Sequence, residues 1–254
     1  MTEIRWCGYN WDCRMEGGRI IHPQYPHAWY SDSEDVVKIY RNGEMHLSYR
    51  ENPREIKHWD GKIYNPTIER ALIRTTTHFD YGTFSIEAKC PKGLNLCCAF
   101  WLSGKGNWPP EIDILEAWSG DKNYSKPLTN HFPWLYPSWR TTYNVHYNNN
   151  KLVHEHLGSK NIMKCEQPLD PTDNWIKYEC VWEPEKITFK ANGKVVKTVS
   201  KKYAQMLVNN LNSPEKGHLM DVILDINIGD PKITPNRLDE PFKVRNFKYI
   251  PLND

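Results

Sequence analysis

Along most of this chain polar and apolar residues alternate with a period near two, the signature of half-buried strands rather than helices. Residues 35–40 (DVVKIY) and 44–50 (EMHLSYR) flank Asn42-Gly43, a dipeptide that favours a tight hairpin. In 83–89 (TFSIEAK), Phe84, Ile86 and Ala88 alternate with Ser85, Glu87 and Lys89. Residues 97–102 (CCAFWL) form a short apolar run. Three strands at 175–182, 186–191 and 194–199 read as a meander, with turns at Glu183-Pro184-Glu185 and Asn192-Gly193. Two late strands follow at 219–227 (LMDVILDIN) and 242–250 (FKVRNFKYI). One short helix is expected near 201–210 (KKYAQMLVNN), and 119–150 reads as a long loop, a length usually tied to function. Within that loop, Tyr143–Tyr147 has strand character. There is no internal repeat and no low-complexity linker. The pattern predicts an all-β jelly-roll sandwich of two curved antiparallel sheets, one domain over 1–254.

Charge and composition narrow the function. Thirty-three Lys+Arg against 31 Asp+Glu leave a net charge of +2, too balanced for a protein that works by neutralising phosphates. No apolar run is long enough for a membrane-spanning helix. Eleven Trp and 14 Tyr accompany seven Phe. Trp and Tyr present a flat apolar face with a polar edge, which suits the faces of sugar rings as well as a core with a wet rim.

The seven cysteines include no C-x-x-C pair and no zinc-ligand spacing. Cys7 and Cys13 are placed for a short-loop disulfide if the protein is exported. No signal peptide is visible at MTEIRWCGYNWD, so an extracellular or periplasmic location would require one to have been removed. No coiled-coil heptads occur, and a monomer is the expectation.

The most informative stretch is 108–118, WPPEIDILEAW. In a strand Glu111 and Asp113 face one side, and Ile112 and Ile114 the other. Like charges side by side on a strand repel, so the cluster suggests a wet cleft in which one carboxylate holds a proton. Strict alternation puts Glu116 on the wrong face. A one-residue bulge at Ile114-Leu115 would return it to the cleft. Glu111 and Glu116 would then stand about 13 Å apart at Cα, at roughly 3.3 Å per step. Side chains leaning together on a curved sheet can approach the roughly 5–5.5 Å separation of retaining glycosidases. In that chemistry one Glu attacks the anomeric carbon. The other protonates the leaving oxygen and then deprotonates water, with Asp113 between them helping to hold their pKa values apart. A calcium site is the poorer reading, since it wants six to eight oxygens on a loop.

E-I-D-I-L-E resembles the E-x-D-x-x-E signature of glycoside hydrolase family 16 in its bulged form. The similarity extends to 29–49, 79–104, 173–196, 220–230 and 240–250, most of the chain. It departs after Tyr81-Gly82, where Ser85 and Glu87 stand in place of the family's usual Glu and Arg. The resemblance implies a jelly roll with a cleft across one sheet and retaining endo-hydrolysis of a β-linked polysaccharide. By motif position Glu111 is the nucleophile, Asp113 its assistant and Glu116 the acid/base. No cofactor is implied. Some family members carry a structural calcium, for which no ligand set is identified in this sequence.

The bulged motif and the strand around Asn144 and His146 look laminarinase-like, which points to a β-1,3-glucan. The alternative is a galactan such as agar, porphyran or carrageenan; EAWSGDK resembles agarase-like members, and sulfated polymers call for basic residues such as Arg140 and Lys126. Candidate sugar contacts are Trp101, Trp108, Trp118, Asn130, His131, Trp134 and His146, with Trp139 a further platform. His154 and His156 share a strand face but lack a third ligand. A non-catalytic carbohydrate-binding protein on the same fold would need the aromatic residues but not all three carboxylates. A structural β-sandwich would leave the acidic strand unexplained.

Overall fold

The computed structural model describes residues 3–22, 25–92, 96–104, 109–119, 139–148, 154–156, 171–202, 204, 219–228 and 240–252. For residues 118, 119, 139–142, 144, 146–148 and 154–156 only the backbone is described. The protein is an all-β jelly-roll sandwich. Eight strands form one sheet in the order Ile4–Trp6, Tyr9–Asp12, Leu72–Thr75, Met220–Ile228, Leu96–Gly104, Glu111–Ser119, Trp139–Asn148 and His154–His156. Seven form the other, in the order Lys194–Val199, Lys186–Ala191, Ile176–Glu183, Gly82–Lys89, Phe242–Pro251, Met45–Leu47 and Val37–Ile39. The pairings within both sheets are antiparallel. A small third sheet joins Ala28–Tyr30 in parallel to Ile68–Arg70, which pairs with Tyr49–Glu51.

Alternation in each strand decides which side chains meet between the sheets. Phe100, Leu102, Ile112 and Leu115 from the first sheet share one core with Phe84, Ile86, Tyr178 and Phe189 from the second. Burying each such side chain stabilises the fold by about 1.5–3 kcal/mol. Part of the aromatic surplus is spent here, since Trp11 and Trp182 are wholly buried. The other face of the eight-stranded sheet is left to form the cleft.

The two Asn-Gly hairpins differ. Asn192 and Gly193 both take positive φ, 46° and 79°, as a two-residue type I′ turn demands. At the earlier hairpin only Gly43 does so (φ 85°), and the Tyr40 amide donates to Glu44 O at 2.8 Å, closing a three-residue loop. Asn42 instead uses its side-chain oxygen to accept from the Glu44 amide at 3.1 Å.

The expected 119–150 loop is corrected in its second half, where Trp139–Asn148 is a ten-residue strand. Its Thr, Asn, His and Tyr content hid all but the Tyr143–Tyr147 stretch, because sheet pairing accepts polar side chains where one face is wet. Lys201, Lys202 and Ala204 are helical; the rest of the expected 201–210 helix lies outside the described residues. The six described cysteines are all free thiols, Cys7 and Cys13 included. No helix among the described residues is long and apolar enough to cross a membrane.

Candidate active site

The Glu111–Ser119 strand lies between Leu96–Gly104 and Trp139–Asn148, and its register with both slips once. Phe100 is opposite Leu115 but Trp101 is opposite Asp113, so Ile114 is the extra residue. On the other side Asp113 faces Asn144 while Glu116 faces Thr142. This is the bulge that the alternation of charges calls for. Ile112, Ile114, Leu115 and Ala117 are fully buried in the core. Glu111, Asp113 and Glu116 all line a cavity of about 360 Å³ on the opposite face. The two glutamates are half-buried and Asp113 is 3% exposed.

The same parity rule selects the cavity's other walls. Cys97, Ala99, Trp101 and Ser103 face it from one strand, and Asp221, Ile223, Asp225 and Asn227 from the next. Rows therefore run across the sheet. Glu111 lies beside Ser103 and Asp221, Asp113 beside Trp101 and Ile223, and Glu116 beside Ala99 and Asp225. Small residues at 99 and 103 leave room on either side of the Trp101 indole. Arg19, His22, Tyr25, Tyr30 and Arg74 close the cavity from other segments.

Two aspartates were not singled out from sequence. Asp221 is ion-paired to Arg74 Nη1 at 2.7 Å and hydrogen-bonded to His78. Asp225 is 2% exposed; burial pushes its pKa up to about 6, aided by the Asp113 charge and opposed by Arg70 and a hydrogen bond from Trp101. A signal was present: Asp221, Asp225 and Asn227 share parity within an otherwise apolar central strand, where a solvated face is not expected. Nothing local says which residues they meet.

Of the other expected sugar contacts, Trp101 faces the cavity. His146 is directly opposite Glu111 in register and Trp118 opposite Cys97, with only their backbones described. Trp108, Asn130, His131 and Trp134 lie outside the described residues, as does Lys126; Trp139 and Arg140 have described backbone only. His154 and His156 pair with Asn148 and His146 at the sheet edge. Glu87, one of the departures from the family pattern, is ion-paired on the outer sheet to Arg245 at 2.8 Å and lies outside the cavity lining. Among the described residues no group of three His, Cys, Asp or Glu is arranged to hold a metal ion.

Residues 27–230 match the family described as Glycosyl hydrolases family 16. The chain belongs to that family. One curated relative, a "Glucan endo-1,3-beta-glucosidase" of Cryptopygus antarcticus, is 33% identical over 95 residues, 34% of this chain. The match spans about a third of that relative's length (33%). The catalytic domain of an endo-1,3-beta-glucanase (laminarinase) from Thermotoga petrophila superposes with a TM-score of 0.59 at 17% identity, covering 98% of this chain and 94% of the other. The kappa-carrageenase of Pseudoalteromonas carrageenovora superposes at 0.58 with 12% identity, covering 94% and 89%. These likenesses establish the family 16 jelly roll; at such identities they do not choose between substrates.

Proposed function

We propose that this protein is a retaining endo-β-glycanase that hydrolyses a β-1,3-glucan by double displacement. The observation that carries the proposal is the bulge at Ile114, which brings Glu111, Asp113 and Glu116 onto one face of a cavity. Glu111 attacks the anomeric carbon while Glu116 protonates the departing glycosidic oxygen. A water then enters, Glu116 removes its proton, and the glycosyl–Glu111 bond is broken with retention. Asp113, on the same face between the two, is proposed to hydrogen-bond Glu111 and help hold the two pKa values apart. Two carboxylates and water complete the proton transfers, so no cofactor enters the scheme.

The charge of the cavity supports a neutral polymer. Its described lining holds Glu16, Glu111, Asp113, Glu116, Asp221 and Asp225 against Arg19 and Arg74. An acidic wall repels sulfate esters, which weighs against carrageenan and porphyran. The Cryptopygus relative's name points the same way. Trp101 supplies a stacking face beside Asp113, and His146, across from Glu111, is proposed to hydrogen-bond sugar or carboxylate. Trp108, Trp118, Asn130, His131 and Trp134 are proposed as further sugar contacts, and the whole chain is proposed to act as one monomeric catalytic domain.

The test is product release from laminarin, mixed-linkage glucan, agarose, porphyran and carrageenan by wild type, Glu111→Ala and Glu116→Gln. Oligosaccharides from laminarin, lost in both variants, are expected. Products from agarose instead would replace the substrate while keeping the mechanism. Binding without products from any polymer would mean a carbohydrate-binding protein on this fold.

A further inference from the structure

Trp101 lines the cavity beside Asp113 and directly opposite Ile223. Asp225 is the next same-face residue on the Ile223 strand, so the two residues are diagonal neighbours. Diagonal neighbours lie within reach of a long aromatic side chain. The indole Nε1 donates to Asp225 Oδ1 at 3.1 Å. The second carboxylate oxygen accepts from Asn227 Nδ2 at 2.8 Å. Asp225 is thus anchored by its own strand and offers its remaining oxygen to the indole. Behind it stands Arg70, fully buried, donating to the Tyr30 hydroxyl at 3.0 Å and stacked on the Tyr30 ring at 4.7 Å. Its guanidinium charge favours the carboxylate. Directly across from Asp225 is Ala99, whose small side chain leaves the diagonal open.

Trp101 is partly buried against Tyr30, Leu72 and Ile223, but packing alone does not fix the direction of its edge N–H, which water could satisfy in more than one orientation. A buried acceptor removes that choice. We propose that Asp225 is a positioning residue that locks the Trp101 indole as a fixed stacking wall for sugar beside Asp113. The inference rests on the cavity being the glycan cleft. A pre-set ring costs less ordering entropy when substrate arrives, so the effect belongs mainly in KM.

The experiment is a double-mutant cycle on kcat and KM, with the fold of each variant checked by circular dichroism. Asp225→Ala and Trp101→Phe, which keeps a ring but lacks the N–H, are each expected to raise KM about five- to tenfold, the scale of one hydrogen bond. In the Trp101→Phe background, Asp225→Ala should add nothing further. Asp225→Asn, which retains an acceptor of the same shape, should recover most of the loss. Multiplying effects, or an Asn variant as impaired as Ala, would overturn the proposal and indicate direct sugar contact by Asp225. Should Asp225→Ala fail to fold, Trp101→Phe reads the loss of the bond alone: a raised KM supports the proposal and an unchanged KM overturns it. The cycle is run on whichever polymer the wild type cleaves, with Kd read in place of KM if it only binds, so failure of the β-1,3-glucan reading is seen separately.

Discussion

Glu116 stands directly across from Ala99, because its strand takes one residue more than the neighbouring strand between that point and Asp113. The extra residue, Ile114, is wholly buried. If residues 111–116 ran in unbroken alternation, with no bulge, Glu116 would share the parity of Ile112 and point into the core.

Glu116→Gln removes the acid/base while leaving the strand intact and should lower activity by about 10²- to 10⁴-fold. Deleting Leu115 leaves E-I-D-I-E, in which plain alternation keeps Glu116 on the cavity face without a bulge, so that variant should stay well above Glu116→Gln in turnover. A Glu116→Gln variant that keeps even a tenth of wild-type turnover would show that Glu116 does not do the proton transfer.

The stereochemical course follows from Glu111 acting as nucleophile. Proton NMR of early products should show the β-anomer before mutarotation. Glu111→Ala given azide should regain turnover and release the α-glycosyl azide, the single inversion that an external nucleophile enforces. An α-anomer from wild type would instead assign Glu111 as a general base activating water.

Asp225 makes stability depend on pH in the sense opposite to a salt-bridged acid. Its folded pKa of about 6 lies above the ordinary aspartate value of 3.8. Between those values the folded state binds more protons than the unfolded one, so stability falls as pH rises through this window. Two units correspond to about 3 kcal/mol. Urea unfolding of wild type and Asp225→Asn from pH 4 to 7 should therefore diverge by about 2–3 kcal/mol, the wild type losing ground as pH rises. Parallel curves would show that Asp225 titrates normally.

Gly82 is a packing requirement at the junction of the outer sheet. A Cβ there would lie 2.5 Å from the Ile250 carbonyl oxygen and 2.5 Å from Tyr249 Cε2. The ring can swing, but the strand-paired backbone cannot. Gly82→Ala should cost about 1–3 kcal/mol, a fall of several degrees in a thermal melt at this chain length. An unchanged melting temperature would mean that the Phe242–Pro251 strand shifts freely.

Much of this was legible one strand at a time. Alternation located the strands at 83–89, 97–102, 175–199, 219–227 and 242–250 to within a residue or two. The Asn192-Gly193 turn matched its chemistry, since positive φ at both positions suits that pair. The bulge was legible because the three acids and four apolar residues of EIDILEA (111–117) cannot be sorted onto two faces without it. The Trp139–Asn148 strand was partly concealed by its polar composition.

The sequence by itself determined which face each residue of a strand takes, because side-chain direction is a local property of the extended backbone. It therefore determined the sandwich, the core and the grouping of Glu111, Asp113 and Glu116. Only the tertiary structure decided which strands lie side by side. Residues 72–75, 220–228 and 96–104 are neighbours in the sheet although far apart in the chain. That order, set by packing and by hydrogen bonding between distant segments, puts Arg74 on Asp221 and Trp101 on Asp225. It also surrounds Asp225 closely enough to lift its pKa toward neutrality. No local pattern encodes such a pairing, because its energy exists only once the strands have met.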